Sequence, residues 1–294
     1  MAVEASGASV AGSASVPVVL VAHGSGDPRA ARATGALARA VAAARPGLLV
    51  RASYLDHGPP RPGAVLAELE AAGHRRAVLV PLLLTAAYHG RVDIPAAVGA
   101  AREAGLRMPV RTAEVLGPTA PGLGPTAPGL GPTAPGLGPT APGVVDPRLL
   151  TALLRRLAEA VGPARRGGAV EALRDAGVDG LVLAAAGTRD AAARGTVVQV
   201  AEALGRVTGL PARVGYASAA PPTAGTAVGA LREAGARRVA VATYFLAPGR
   251  LCEAALASAG EAGAVALAAP LGDVPELVQL VLGRLDAALA VDPG

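Results

Sequence analysis

The sequence contains no lysine, no asparagine and no tryptophan. Without lysine there is no Walker-type phosphate loop and no Schiff base, which excludes ATP hydrolysis by that motif and pyridoxal catalysis. The single cysteine, Cys252, forms no intrachain disulfide and cannot by itself hold an iron–sulfur cluster, which suits a reducing cytoplasm. Aromatic residues are 2% of the chain, so a core must be built from Ala, Val and Leu. Long hydrophobic runs are also missing. The longest, Ala77 to Ala87, is too short to span a bilayer, so no membrane association is expected. Residues 1–16 are small, include Glu4 and lack a basic start or an apolar stretch. They read as a flexible tail rather than a signal peptide.

The formal charge is +5 and every basic side chain behind it is arginine. The arginines are dispersed and almost no aromatics interleave them, which argues against a nucleic-acid surface and leaves a small anionic substrate open. Hydrophobic residues make up 52% of 294 residues, enough for a large core and two units of ordinary size.

Short apolar runs alternate with helical periodicity, the pattern of an α/β fold with parallel sheets covered on both faces. Strands are expected at Val18–Ala22, Leu49–Leu55, Ala77–Leu84 and Val110–Val115. Helices are expected at Arg29–Ala44, Gly63–Ala72, Ile94–Ala104 and Pro147–Val161, the last opened by the cap-then-proline pair Asp146-Pro147. Between the fourth strand and that helix, Leu-Gly-Pro-Thr-Ala-Pro-Gly repeats four times in tandem over 116–143. Its prolines exclude a coiled coil, and it reads as an extended insert.

The plan then repeats. Strands are expected at Gly180–Ala185, Arg213–Ala217, Arg238–Leu246 and Val265–Ala269, and helices at Ala191–Thr208, Thr223–Ala234, Gly249–Ala262 and Pro275–Ala290. The halves align by residue. Val-Leu-Val-Ala-His23-Gly-Ser matches Val-Leu-Ala-Ala-Ala186-Gly-Thr, Asp27 matches Asp190, and Tyr54-Leu55-Asp56 matches Tyr216-Ala217-Ser218. This is an internal duplication giving two doubly wound parallel-sheet units, 17–161 (with the insert) and 178–291. The second copy has Ala186 for His23, Ser218 for Asp56, and no counterpart of His89. The first copy is therefore the chemically equipped one.

His23 and His89 each follow a buried-strand pattern, so both are expected beyond the carboxyl ends of the strands, where open parallel sheets bind ligands. Two neutral imidazoles in one cleft suit a divalent metal. Thr85, Ala86, Ala87 and Gly90 describe a loop that passes close to a flat ligand. Asp56 ends the second strand as a third metal ligand or a proton-accepting carboxylate. Its neighbour His57 is expected to point away, and His74 to lie at the opposite sheet edge. Ser25 lies near the site and Asp27 caps the first helix. Arg29, Arg32 and Arg91 are placed to reach carboxylates of an acidic substrate.

Three segments together resemble the sirohydrochlorin chelatases, the class II tetrapyrrole chelatases that insert cobalt or ferrous iron. They are His23-Gly-Ser-Gly-Asp-Pro-Arg29, Tyr54-Leu-Asp56, and the run from Pro81 through Thr85-Ala-Ala-Tyr88-His89-Gly-Arg91 to Pro95. The resemblance covers the chain outside the tail and the insert. It implies two similar α/β domains facing each other across a cleft. It also implies His23 and His89 as metal-handling and proton-accepting residues, with Asp56 where many relatives have Glu. The substrate-binding set is Ser25, Leu84, Thr85, Ala86, Ala87, Tyr88 and Arg91. The expected substrates are sirohydrochlorin and Fe2+ or Co2+, with no permanently bound cofactor and no nucleotide. The fused duplication removes the need for a homodimer, so a cytoplasmic monomer is expected. A histidine phosphatase would need Arg directly before its histidine, and Ala22 stands there. A metal or tetrapyrrole carrier with the same pocket is the non-enzymatic alternative.

Overall fold

The computed structural model describes residues 16–85, 92–118, 144–162 and 164–290. The first half runs β1 (Val18–Ala22), α1 (Pro28–Ala44), β2 (Val50–Tyr54), α2 (Pro62–Ala71), β3 (Ala77–Pro81), α3 (Ile94–Glu103), β4 (Val110–Thr112) and α4 (Pro147–Val161). A short helix, α5 (Ala169–Asp175), joins it to the second half. There follow β5 (Gly180–Ala185), α6 (Ala191–Thr208), β6 (Ala212–Tyr216), α7 (Ala224–Glu233), β7 (Val239–Tyr244), α8 (Arg250–Glu261), β8 (Ala266–Leu267) and α9 (Pro275–Ala290). No helix among the described residues is long and apolar enough to cross a membrane.

The strands form two parallel sheets, ordered β2-β1-β3-β4 and β6-β5-β7-β8. The continuous apolar runs follow from burial on both faces. Val18 and Leu20 of β1 face one core and Val19 and Val21 the other, all fully buried. The outer core of the first sheet is covered by α2 and α3, and that of the second by α7 and α8. The inner faces share one core, filled by α1, α4, α6 and α9 between the sheets.

Two helices exchange sides within that layer. Helix α4, last in the first half by chain order, packs on β7 and β8, while α9 packs on β3 and α1. Leu149, Leu153 and Leu157 give α4 an apolar stripe at helical spacing, and all three are fully buried. Truncating one of them to Ala costs about 2–5 kcal/mol. The surrounding ion pairs, such as Arg45 to Asp286 at 2.6 Å, are exposed enough to contribute roughly 1 kcal/mol or less. Apolar burial therefore joins the halves. The first residues of the heptapeptide segment belong to this body: Leu116 is fully buried and its amide donates to Leu83 O at 2.8 Å. Residues 119–143 lie outside the described residues.

Candidate active site

In each sheet the chain turns to opposite sides after its first strand, so the carboxyl ends of β1 and β3, and of β5 and β7, flank a topological switch point. Crevices for ligands form at such points. Here the two switch points open into one cleft of about 780 Å³ lined by both halves.

The wall from the first half begins where β1 ends. Leu55 N donates to Ala22 O at 2.9 Å and Asp56 N to His23 O at 2.7 Å, which extends the β1–β2 pairing by two rungs and fixes the backbone of His23. The next residue must be glycine. Gly24 has φ +98°, and a Cβ there would meet Asp56 O at 2.0 Å. Ser25 Oγ accepts the Asp27 amide at 3.1 Å, and Asp27 caps α1 by accepting from Arg29 N at 2.8 Å. Asp27 is held down to about 2 by the side chain and the amide of Arg29.

At the end of β2 the backbone turns through His57, whose φ of +61° is left-handed, at a cost of about 1–2 kcal/mol for a non-glycine residue. That turn brings the His57 ring edge-on to His23, with centroids 6.0 Å apart and planes at 82°. The Asp56 carboxylate accepts the His57 amide at 2.7 Å and lies 3.8 Å from His57 Nε2 and from Arg61 Nη2. Chiefly through that amide, and through the charges around it, the Asp56 carboxyl is held below its ordinary range. Two imidazoles and one ionised carboxylate thus meet at the cleft. Among the described residues no three His, Cys, Asp or Glu side chains are grouped to hold a metal ion.

The chain leaving β3 lines the same cleft with Leu82, Leu83, Leu84 and Thr85. A residue of the second half holds it: the buried Tyr244 hydroxyl donates to Leu84 O at 2.9 Å. Burial pushes that phenol far above the ordinary tyrosine range, so it stays a donor. Phe245, Leu246 and Leu251 make the opposite wall apolar. Cys252 also lines the cleft, but burial, reinforced by Glu253, pushes its thiol up to about 11. Its thiolate is therefore disfavoured near neutrality.

Of the residues expected from sequence, His23, Ser25, Asp56, Leu84 and Thr85 line the cleft. Ala86, Ala87, Tyr88, His89 and Arg91 lie outside the described residues. Arg29 does not line the cleft. Its guanidinium is engaged by Asp27, at 3.0 Å from Nε, and by Glu253 of α8 across the cleft mouth. His57, expected to point away, joins the cleft, and the left-handed turn is the reason: side chains alternate only along extended backbone. The second half's wall carries no motif of its own. Its signal was the duplication, which predicts that β5 and β7 present equivalent loops.

The family model described as CbiX matches residues 17–121 and 180–288, once in each half. SirB from Bacillus subtilis, solved with Fe3+, is 17% identical with a TM-score of 0.70 over 93% of this chain and 95% of that one. SirB from Bacillus subtilis subspecies spizizenii in complex with cobalt is 17% identical, TM-score 0.64, over 94% and 96%. CbiX, described as the terminal enzyme for biosynthesis of siroheme in denitrifying bacteria, is 23% identical, TM-score 0.60, over 93% and 100%. These likenesses show the fold. No curated protein matches the chain.

Proposed function

The chain belongs to the CbiX family, and on that premise we propose that it is a sirohydrochlorin chelatase. It inserts Fe2+ or Co2+ into the tetrapyrrole without ATP, in sirohaem or cobalamin biosynthesis. The observation that carries this reading is the meeting of His23, His57 and the Asp56 carboxylate at the mouth of an apolar cleft built by both halves. A flat macrocycle suits such walls, and its acidic substituents suit a charged rim.

Insertion exchanges two pyrrole N–H protons for one divalent cation. Imidazole ordinarily titrates near neutrality, so His23 takes up one departing proton as the metal leaves the imidazole that held it, and the second proton passes to water. His23 and His89 are the proposed metal-handling pair. Asp56, anionic near neutrality, stabilises the arriving cation. The substrate-binding set is Ser25, Leu84 and Thr85, continued by Ala86, Ala87, Tyr88 and Arg91. In this reading the units are 17–161 and 178–291, with the chemistry in the first, and the protein works as a cytoplasmic monomer with no permanently bound cofactor.

The test is anaerobic. The absorbance spectrum of sirohydrochlorin is followed with purified protein and Fe2+ or Co2+, against a control without protein. Multiple turnovers above the control are expected with at least one metal. Metallation that stops at one equivalent replaces the enzyme with a carrier, and no acceleration with either metal overturns the assignment.

A further inference from the structure

We propose that Arg250, contributed by the second half, is a carboxylate anchor of this cleft; the proposal rests on the tetrapyrrole reading above. Among the described residues that line the cleft, Arg250 is the only arginine, and the chain has no lysine. It is exposed, and no hydrogen bond or ion pair engages its guanidinium among the described residues. The neighbouring Arg29 is already paired, with Asp27 and with Glu253, three residues beyond Arg250. A planar guanidinium with free donors matches a carboxylate in fork geometry.

Position and sequence both support the assignment. The β7–α8 loop that delivers Arg250 faces the loop that delivers His23. A Cβ on Gly249 would lie 3.7 Å from Ser25 Oγ, two residues beyond His23. The lining next to Arg250 is apolar, formed by Phe245, Leu246 and Leu251, so the cation stands where a macrocycle's apolar body would end and its acid groups begin. The duplication adds a further observation. The second copy has Ala186 and Ser218 in place of His23 and Asp56, yet Gly249-Arg250 still matches Gly90-Arg91. What the second half kept is a charge for holding an acid, not the groups for moving a proton or a metal.

The experiment measures Kd for metal-free sirohydrochlorin and for its fully esterified counterpart, by titrating macrocycle absorbance with wild type, Arg250→Ala and Arg250→Lys. Arg250→Ala should weaken binding of the acid about tenfold, as expected for losing one hydrogen-bonded charge partner. It should leave the ester's Kd unchanged, and Arg250→Lys should recover part of the loss. An unchanged thermal midpoint shows that the variants are folded. Equal acid affinity in wild type and Arg250→Ala, or an equal loss for acid and ester, overturns the anchor. If the wild type binds the acid but inserts no metal, the chelatase reading fails while the anchor stands on the Kd difference. A wild type that binds neither macrocycle overturns both.

Discussion

The loop after β1 and the loop after β5 trace the same path and carry different chemistry. Gly24 and Gly187 have φ of +98° and +89°, and in each a Cβ would strike the facing carbonyl, Asp56 O or Ser218 O, at 2.0 Å. Asp56 N donates to His23 O at 2.7 Å, and Ser218 N to Ala186 O at 3.1 Å. Ser25 and Thr188 accept the amides of Asp27 and Asp190, which in turn cap α1 and α6. His57 and Ala219 are both left-handed, at φ +61° and +63°. The glycine, hydroxyl and aspartate of the first motif therefore serve the strand-to-helix turn, since a copy with no imidazole needs them equally. Within these two loops, what distinguishes the first half is His23, Asp56 and His57.

The largest test of that separation is His23→Ala, which makes the first loop resemble the second. Insertion should fall by at least about 10²-fold, the scale of losing a positioned proton acceptor, with no change in thermal midpoint because Ala186 already occupies the equivalent turn. Turnover at the wild-type rate would sink the proposed mechanism. Next in size are Gly24→Ala and Gly187→Ala. Each forces a Cβ into a left-handed residue facing a carbonyl, and each should cost about 2–3 kcal/mol in urea unfolding. Losses that differ by more than about 1 kcal/mol would show that the two turns are not equivalent scaffolds.

This division explains which parts of the molecule were legible in the sequence. Helices α4, α6 and α9 begin and end where their periodicity places them; Asp146-Pro147 and Asp190 cap the first two locally, and Pro275 opens the third. Strands β1 and β5 match their expected bounds, whereas β3 ends at Pro81 rather than Leu84, although Leu82 N still donates to Val21 O beyond the last paired residue. The exchange of α4 and α9 was hidden, since an apolar stripe says which face is buried and not which sheet covers it. Strand alternation places His57 away from the cleft, and its left-handed backbone breaks that alternation. The far wall itself is expected from the resemblance, but its residues carry no motif: the second half lacks a counterpart of His23, and Tyr244 and Arg250 take other parts.

A smaller effect comes from the two caps. Asp27→Ala and Asp190→Ala should each cost about 1 kcal/mol, as N-cap losses do, and for Asp27 pH then separates the loss from an ordinary surface change. Asp27's folded value of about 2 lies below its ordinary 3.8. Its contribution is therefore complete above pH 3.8 and is lost as the pH falls toward about 2. Urea midpoints measured across that window should drop more steeply for wild type than for Asp27→Asn. Parallel slopes would mean that Arg29 pairs with Asp27 as strongly in the unfolded chain.

The smallest effect concerns the heptapeptide repeat, which only the first half carries. Its base is tied down on both sides by the buried Arg284 of α9. Nε donates to Val115 O at 2.9 Å and Nη2 to Leu116 O at 3.3 Å, while Nη1 lies 3.8 Å from Asp146 Oδ2, just before α4. Beneath it Gly117 packs so closely on Leu84 O that a Cβ would reach 1.8 Å, so the base of the repeat is in touch with the cleft loop. The four units are identical, so deleting any two leaves the same Leu-Gly-Pro at that base. Loop-closure entropy then predicts a gain of only about 0.6 kcal/mol for halving the segment, with insertion kinetics unchanged. A larger stability change in urea unfolding, or altered kinetics, would show that the repeat acts on the cleft beyond its anchored ends, and the difference between the halves would then extend past their imidazoles.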